Sequence, residues 1–570
     1  MKYEKEILES FSGLGMSPRE NQVPFINDVI EAFFERKKKY VVLNAPTGTG
    51  KSIIGAVIAD VINRLKGTKL ASLILMHNNA LTKQYYQTFS GFGEDRYIQL
   101  KGANNYKCDA LSTDDKEGLI NAENCAQQKF RQEGLDDVLQ KYCNKCQYAR
   151  LKRLKNVTKN IITNFSYYFV DRQFSNVFES RDIVIWDEAH TINDAFCEHN
   201  AIYFSKERLS KFYEELADIL KLGDLEIFKQ LKMVQQHLEA GKINETNYKS
   251  YLKVLLDAYK SAYNEAQRIA DESGYDIQKY TKYSKVAKKY FNLGCKIGDL
   301  LEYNYEHIFE FNEKTLEATV KPIFIGTMFE QALVHSDYNL FMSATISKEY
   351  ITETLALKEE DVEFVKVPPT FPKEHKQIIF FDTQNLNYRS MQDPATVSKL
   401  CANSAKIVKV HVEQFQENGI ILTPSFVVTE KLAEAIRKSG VKVQIFEHKR
   451  GEKAEPLIEA FKKSKGLAVL LSPSMYEGID LPGDLSRYQI IVKAPFPSLA
   501  EKRMDYILKN HQKIYNLLTI QKLVQGGGRS VRSMDDYAVT YILDSNAQRL
   551  FNNSLNVWKD EFEVSSMTTM

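Results

Sequence analysis

Residues 45–52 read Ala45-Pro46-Thr47-Gly48-Thr49-Gly50-Lys51-Ser52, a glycine-rich turn ending in a lysine and a hydroxyl. In such a turn, opening a helix, free backbone N–H groups wrap phosphates. Lys51 would reach the β and γ phosphates and Ser52 would ligate magnesium. Ala45 replaces the usual first glycine, a minor departure, because the close approach to phosphate is made nearer Gly48 and Gly50. Asp187-Glu188-Ala189-His190 then sets two adjacent carboxylates beside a histidine. Asp187 would hold magnesium through water, Glu188 would orient or deprotonate the attacking water, and His190 would couple the site to the rest of the chain. A third block, Gln525-Gly-Gly-Gly-Arg529-Ser-Val-Arg532, carries two arginines three residues apart, read as one helix face. Guanidiniums in that pattern suit a γ-phosphate held by another lobe. Each block has a bland alternative: a chance glycine turn, a charged helix start, a surface ion-pair pattern. Their order in one chain favours the chemical reading.

Two further residues join the nucleotide set. Gln22, in Ser17-Pro-Arg19-Glu-Asn-Gln22, has an amide that both donates and accepts, as an adenine edge requires, and is otherwise a solvated helix start. Asp480 lies in Glu477-Gly478-Ile479-Asp480-Leu-Pro482-Gly483. With Pro46, Thr47, Gly48, Thr49, Gly50, Lys51 and Ser52 they form the expected nucleotide contacts, and Gln525 joins Lys51, Asp187, Glu188, His190, Arg529 and Arg532 as the expected catalytic group.

The elements that must position these side chains are legible around them. Lys39 to Ala45 is an apolar run fit for a buried strand, and Ile54, Ile58 and Ile62 beside Ile53, Val57 and Val61 give a helical pattern after the turn. Arg181 to Trp186 is a second apolar strand that delivers the carboxylates at its end. Farther on, Gly419–Ser425, Thr429–Arg437, Leu467–Leu471 and Tyr537–Leu543 read as strand and turn, helix, strand and strand. Alternation of this kind predicts α/β domains with parallel sheets, and this second half has no phosphate loop of its own.

Four of the seven cysteines fall close together, as Cys108-x16-Cys125-x17-Cys143-x2-Cys146, while Cys197, Cys295 and Cys401 are scattered. In a reducing compartment such a group reads as a metal site before disulfides. Four thiolates suit a [4Fe–4S] cluster or a structural zinc, and a single CxxC pair leans away from zinc ribbons, which usually show two.

Bulk properties bound the rest. A chain of 570 residues exceeds one hydrophobic core and predicts roughly three to four domains. Hydrophobic and charged contents of 44% and 26% are those of an ordinary globular protein. The N-terminus MKYEKEILES lacks the apolar core of a signal peptide, and no run approaches the roughly 20 apolar residues of a membrane span. The expected compartment is the cytoplasm with its nucleoid, or the nucleus in a eukaryote, with no membrane partner and a monomeric state. A formal charge of +2 does not announce a nucleic-acid binder, but a near-neutral protein can carry a local basic groove.

With Ala45–Ser52, Asp187–His190, Met342-Ser343-Ala344-Thr345, Glu477–Gly483 and Gln525–Arg532 in this order, the chain resembles superfamily 2 helicases, and more closely their XPD/DinG-like branch. Lys101-Gly-Ala-Asn-Asn-Tyr106-Lys-Cys108 and Ile161-Ile-Thr-Asn164-Phe-Ser-Tyr-Tyr sharpen the match. The resemblance covers about residues 17 to 550. It implies two RecA-like motor domains, the first made of residues 1–100, 151–200 and 316–365, and the second of residues 366–570. It also implies two insertions, an iron–sulfur domain over 101–150 and a helical arch over 201–315. The arch region is rich in Lys, Glu, Leu and Tyr and poor in glycine, as a helical bundle should be. The resemblance implies ATP and Mg2+ as ligands and translocation on single-stranded or forked DNA from 5′ to 3′, in repair, replication or recombination. By position in the chain it favours [4Fe–4S] over zinc at Cys108, Cys125, Cys143 and Cys146.

Ala149 to Asn160 carries Arg150, Lys152, Arg153, Lys155 and Lys159 with no acid, flanked by Tyr148, Phe165, Tyr167 and Tyr168. Cations for a backbone and aromatic faces for bases suit a single-strand groove, the alternative being a solvated helix face over core aromatics. Its place beside Cys146 favours DNA, whereas Lys279–Tyr290 reads as a solvated face. Met76-His77-Asn78-Asn79 departs from the family's Thr-rich phrase. Rival readings are an ATP-gated scaffold on nucleic acid without unwinding and an RNA helicase. No carboxylate block precedes residue 17 to suggest a nuclease.

Overall fold

A computed structural model describes residues 1–568 apart from 20, 47, 109–121, 123, 124, 126, 176, 177, 221–224, 304, 334, 335, 477–480, 529, 532, 555–557 and 559. Thr47, Asp480, Arg529 and Arg532, all assigned to the nucleotide site from sequence, lie outside the described residues.

Two seven-stranded sheets, each wholly parallel, form the cores of two lobes. Across the first sheet the strands run Val362–Lys366, Tyr40–Asn44, Tyr338–Ser343, Ile183–Asp187, Ser72–Met76, Asn160–Asn164 and Tyr97–Gln99. The second runs Gln444–Glu447, Ala468–Ser472, Gly419–Leu422, Tyr488–Ile491, Ala538–Asp544, Lys376–Gln384 and Glu563–Met567. Central strands such as Tyr40–Asn44 and Ile183–Asp187 are buried along their whole length, which is why they read as unbroken apolar runs rather than alternating patterns.

In an open parallel sheet, ligands bind beyond the carboxyl ends of the strands. Tyr40–Asn44, Tyr338–Ser343 and Ile183–Asp187 are neighbours in register, with Asn44 beside Ser343 and Asp187 beside Met342. Three strand ends that are remote in sequence therefore open side by side. Trp186, Phe165, Tyr168, Phe169, Phe196 and Phe341 pack beneath the carboxylate-bearing strand as one buried aromatic cluster.

Residues 206–303 are mainly helical, with Tyr248–Asp271 and Ile277–Tyr303 as the longest helices. Sequence periodicity did not reveal the base of this unit, a three-stranded antiparallel sheet of Ile202–Ser205, Glu317–Pro322 and His307–Asn312. The cysteine-bearing segment reaches the same helices: Lys129 donates to the Asp271 carbonyl at 3.4 Å and lies over the Tyr280 ring. Arg181, 3% exposed, ties its other end to the first lobe by donating to the carbonyls of Lys155, Thr158 and Lys159 at 2.6–2.8 Å. No helix among the described residues is long and apolar enough to cross a membrane.

Gly419 opens a central strand of the second lobe where any Cβ would stand 2.4 Å from the buried Tyr488 ring, itself stacked on His411 at 4.3 Å. Gly419→Ala is expected to destabilise that lobe by about 1–3 kcal/mol through overpacking. Thermal unfolding checks this, and an unchanged midpoint would contradict the packing described.

Candidate active site

Gly48 and Gly50 adopt left-handed backbone angles (φ +85° and +81°), and helix Lys51–Lys66 begins directly after them. Thr49 closes the turn on Pro46, its N–H and hydroxyl reaching the Pro46 carbonyl at 3.3 and 2.8 Å. Tyr85 donates to the Ser52 carbonyl at 2.8 Å and anchors the helix start to the neighbouring helix Asn79–Phe89. The loop thus presents the start of a helix, with Lys51 and Ser52 in its first turn, to whatever anion enters.

Gln22 is buried against this loop. Its Oε1 accepts from the Arg19 N–H at 2.9 Å and its Nε2 donates to the Thr49 carbonyl at 2.8 Å. Arg19 in turn donates to the Gly48 carbonyl. Both amide atoms of Gln22 therefore hold the loop in this structure, a different task from the base contact expected of it.

Asp187 ends its strand 8% exposed, and Glu188 follows in a left-handed conformation (φ +52°), unusual for a residue with a side chain. That kink turns the Glu188 carboxylate to 4.0 Å from the Lys51 ammonium. Burial, then the Glu188 charge, pushes the Asp187 carboxyl up, the condition expected where two carboxylates share a site without a cation between them. Burial also works against the Glu188 charge, but Lys51, the His190 ring and the Ser343 hydroxyl outweigh it and hold that carboxyl below its usual range. The pair with Ser52 fits a divalent cation: a buried acid disfavoured as an anion beside one that stays ionised. Asp187 and Ser52 are the residues that could hold Mg2+ here.

A directional chain of hydrogen bonds crosses from the second lobe. Gln525 Nε2 donates to His190 Nε2 at 2.8 Å, which leaves the imidazole proton on Nδ1, 2.8 Å from Ser343 Oγ. The Ser343 hydroxyl donates to Glu188 Oε2 at 3.5 Å. Tyr350 fixes the same segment by donating to the His190 carbonyl at 2.8 Å. Ser343 belongs to a stretch recognised in the sequence but given no role there. Its signal was its place at the end of an apolar strand.

Gln525 sits on helix Gln512–Gly527, which ends before both arginines, and Ser530 and Val531 are not helical. The helix thus closes at the glycine run Gly526–Gly528, ahead of the segment expected to form one helix face, whose two arginines lie outside the described residues. A Cβ at Gly526 would meet Leu422, Ile491 and Tyr476 at ordinary contact distances, whereas one at Gly527 would stand 3.3 Å from Phe562 Cε1, a tighter approach.

Cys143 is buried, Cys108 and Cys146 are half-buried and Cys125 is exposed. Burial, then the proximity of Cys125, Cys108 and Cys146, pushes the Cys143 thiol up to about 11. The other three thiols are thus near enough to bear on Cys143, but among the described residues no three potential ligands stand at metal-binding spacing. The donor set is all sulfur, the chemistry of a thiophilic centre.

Burial corrects two of the four expected aromatic faces, while Tyr148 and Tyr167 are half-buried. Phe165 and Tyr168 are fully enclosed against Trp186, and Tyr168 donates to the Leu333 carbonyl at 2.5 Å. Lys155 is buried, Lys159 pairs with Asp60 at 2.7 Å, and Arg150 pairs with Glu94, so only Lys152 and Arg153 of that basic run are exposed without a carboxylate beside them among the described residues. A different cleft, of about 430 Å³, opens beyond the strand ends of the second sheet and is lined by Thr423, Ser474, Tyr476, Lys493, Phe496 and Lys522 among others, with no acidic residue among the described ones.

A phosphate loop, a carboxylate pair and a second parallel-sheet lobe in hydrogen-bonded contact with them define a two-lobed ATP-dependent helicase. Comparison with known proteins gives the same class. The family described as helicase C-terminal domain matches residues 408–558, and that described as type III restriction enzyme, res subunit, matches residues 15–223. A probable ATP-dependent helicase of Methanocaldococcus jannaschii is 24% identical, the match covering 93% of this chain and 93% of that one. The ATP-dependent DNA helicase YoaA of Escherichia coli is 22% identical over 65% of this chain and 61% of its own. The fold is shared with a solved XPD helicase (TM-score 0.59, 16% identity, 96% of this chain and 100% of that one) and with Xpd4 of S. tokodaii (TM-score 0.57, 14% identity, 96% and 100%). In its motifs and its fold the chain is similar to helicases of the XPD/DinG-like branch of superfamily 2.

Ser343→Ala and His190→Ala are each expected to lower kcat for ATP by about 10- to 100-fold, with nucleotide affinity kept, since they orient Glu188 rather than touch substrate. Because they act in one chain of bonds, the double variant should fall no further than the worse single. Additive losses in steady-state kinetics would show that the relay does not act as a unit.

Proposed function

We propose that this helicase acts on DNA: that it hydrolyses ATP to move along single-stranded DNA from 5′ to 3′ and to open forked duplexes, in repair, replication or recombination. The observation that carries the motor reading is the hydrogen-bonded line Gln525–His190–Ser343–Glu188, which joins the second lobe to the group that handles the attacking water. The DNA substrate is supported by relatives named as DNA helicases, YoaA and CHL1 of Debaryomyces hansenii, the latter 20% identical over 70% of this chain and 57% of its own.

Each residue then has a task. Lys51 leaves Glu188 to meet the β and γ phosphates, and Ser52 and Asp187 hold Mg2+, which neutralises charge on those phosphates. Glu188 takes a proton from water as its oxygen bonds the γ-phosphorus and the bond to the β-phosphate oxygen breaks, ADP departing with that electron pair. Arg529 and Arg532 meet the γ-phosphate from the second lobe, Asp480 completes the nucleotide contacts, and Gln22 holds the phosphate loop that makes them. The second-lobe cleft suits a sequence-blind strand: Lys493 and Lys522 for phosphates, Thr423 and Ser474 as hydroxyl partners, Phe496 as an aromatic face. Cys108, Cys125, Cys143 and Cys146 hold a [4Fe–4S] cluster, zinc being the second choice. The cluster stiffens a small insertion docked between the first lobe and the helical unit.

Strand displacement with ATP on partial duplexes bearing a 5′ or a 3′ single-stranded tail tests this reading, with Lys51→Ala as the blank. Unwinding of the 5′-tailed substrate alone, by protein that carries iron and acid-labile sulfide, is the expected result. Cys143→Ser should lose the iron, its visible absorbance and unwinding while keeping much of the ATPase. Hydrolysis indifferent to single-stranded DNA, with neither substrate unwound, would contradict the motor reading, and zinc in protein prepared without oxygen would overturn the cluster.

A further inference from the structure

Val367-Pro-Pro-Thr-Phe371-Pro372 is the connection between the last strand of the first lobe, Val362–Lys366, and the first of the second lobe, Lys376–Gln384. A connector usually runs over the surface with its side chains in water. Phe371 is instead 5% exposed. A Cβ placed on Gly48 would stand 2.5 Å from Phe371 Cε2 and 2.7 Å from its Cζ, so the ring edge fills the space above the phosphate loop that any side chain at 48 would need. The same ring forms a buried cluster with Val531 and Ala538 of the second lobe. Val531 lies in the chain between Arg529 and Arg532. One side chain therefore touches both the phosphate loop and the segment that bears the two arginines.

The surroundings hold that ring in place. Pro368, Pro369 and Pro372 restrict the backbone around it. Lys366, before the connector, pairs with Asp560 at 2.9 Å, and Lys376, after it, pairs with the buried Glu561 at 3.8 Å. Both ends are thus pinned to one C-terminal segment, and the ring between them has little room to swing away. Arg19 and Gln22 brace the loop from its other side through the Gly48 and Thr49 carbonyls.

We propose that Phe371 is a positioning residue that couples the phosphate loop to the arginine-bearing segment, so that rearrangement of the loop around a nucleotide and the placement of the second lobe are one motion. The proposal rests on the ATPase reading above. A close-packed apolar contact transmits displacement because its atoms cannot interpenetrate, and truncating it leaves both partners in place without the link. The loop, its lysine and the carboxylates are untouched by truncation, so binding of nucleotide should survive while the second lobe's contribution to turnover is lost.

The test uses the full chain as wild type, Phe371→Ala, Phe371→Leu, Val531→Ala and Lys51→Ala. Fluorescent ADP affinity, ATP KM and kcat with and without single-stranded DNA, and melting temperature are measured on each. Phe371→Ala is expected to cut DNA-stimulated kcat about tenfold while ADP affinity and KM stay within about threefold, and Val531→Ala should move kcat the same way. Phe371→Leu, which keeps apolar bulk, should recover most of the rate. The proposal is overturned if Phe371→Ala keeps DNA-stimulated kcat within about twofold. It is also overturned if ADP affinity falls in proportion to kcat, or if both Phe371 variants lose rate alike in step with a lowered melting temperature. A wild type no faster than Lys51→Ala, with ADP still bound, would remove the ATPase reading itself and the proposal with it.

Discussion

The second lobe reaches the carboxylate pair of the first through the imidazole of His190. On one nitrogen it accepts from Gln525 of the second lobe, and with the other it donates to Ser343, whose hydroxyl turns to Glu188. A neutral histidine has one donor and one acceptor, so the direction of each bond dictates the next. Withdrawing Gln525 would remove the donor that fixes this tautomer and with it the bond to Ser343. The second lobe therefore acts on the geometry of the Glu188 carboxylate, and in the proposed reaction this path of three side chains would link lobe position to hydrolysis.

The rest of the fold serves that line. Parallel pairing brings the ends of Tyr40–Asn44, Tyr338–Ser343 and Ile183–Asp187 together although they come from distant parts of the sequence. The aromatic cluster beneath Trp186 gives the carboxylate strand a rigid floor. A second seam keeps the lobes in register away from the nucleotide: Arg503, buried, donates to the Ile323 carbonyl at 3.0–3.1 Å and to Asp194 at 2.9 Å. Lys321 bridges Glu198 and Glu501 at 3.0 and 3.1 Å beside it. These contacts join the lobes on the side of the helical unit, whereas His190 and Phe371 join them at the phosphate loop.

Much of this was legible in the sequence because the chemistry is local there. The phosphate loop needs particular residues at consecutive positions, and the buried parallel strands need unbroken apolar runs, so Lys39–Ala45 and Arg181–Trp186 declared themselves. What stayed hidden depends on tertiary placement. Ser343 looked like the end of an apolar strand, and Phe371 like a residue in a proline-rich connector. Gln22 offered an amide of the right kind, but only the fold shows both its atoms engaged with Arg19 and Thr49. Phe165 and Tyr168 had the composition of a base-stacking platform, and burial against Trp186 decided otherwise. At the base of the helical unit, Ile202–Ser205 pairs with Glu317–Pro322 across more than a hundred residues, beyond the reach of periodicity.

The most direct test of the account is the distance between lobes in a protein labelled with donor and acceptor fluorophores at exposed Leu65 of the first lobe and Val427 of the second, with and without a non-hydrolysable ATP analogue. If His190 and Gln525 carry the link, the analogue shortens that distance in wild type, and Gln525→Ala binds it with similar affinity yet shows little closure. Full closure in Gln525→Ala at saturating analogue would mean that the lobes are coupled by another route.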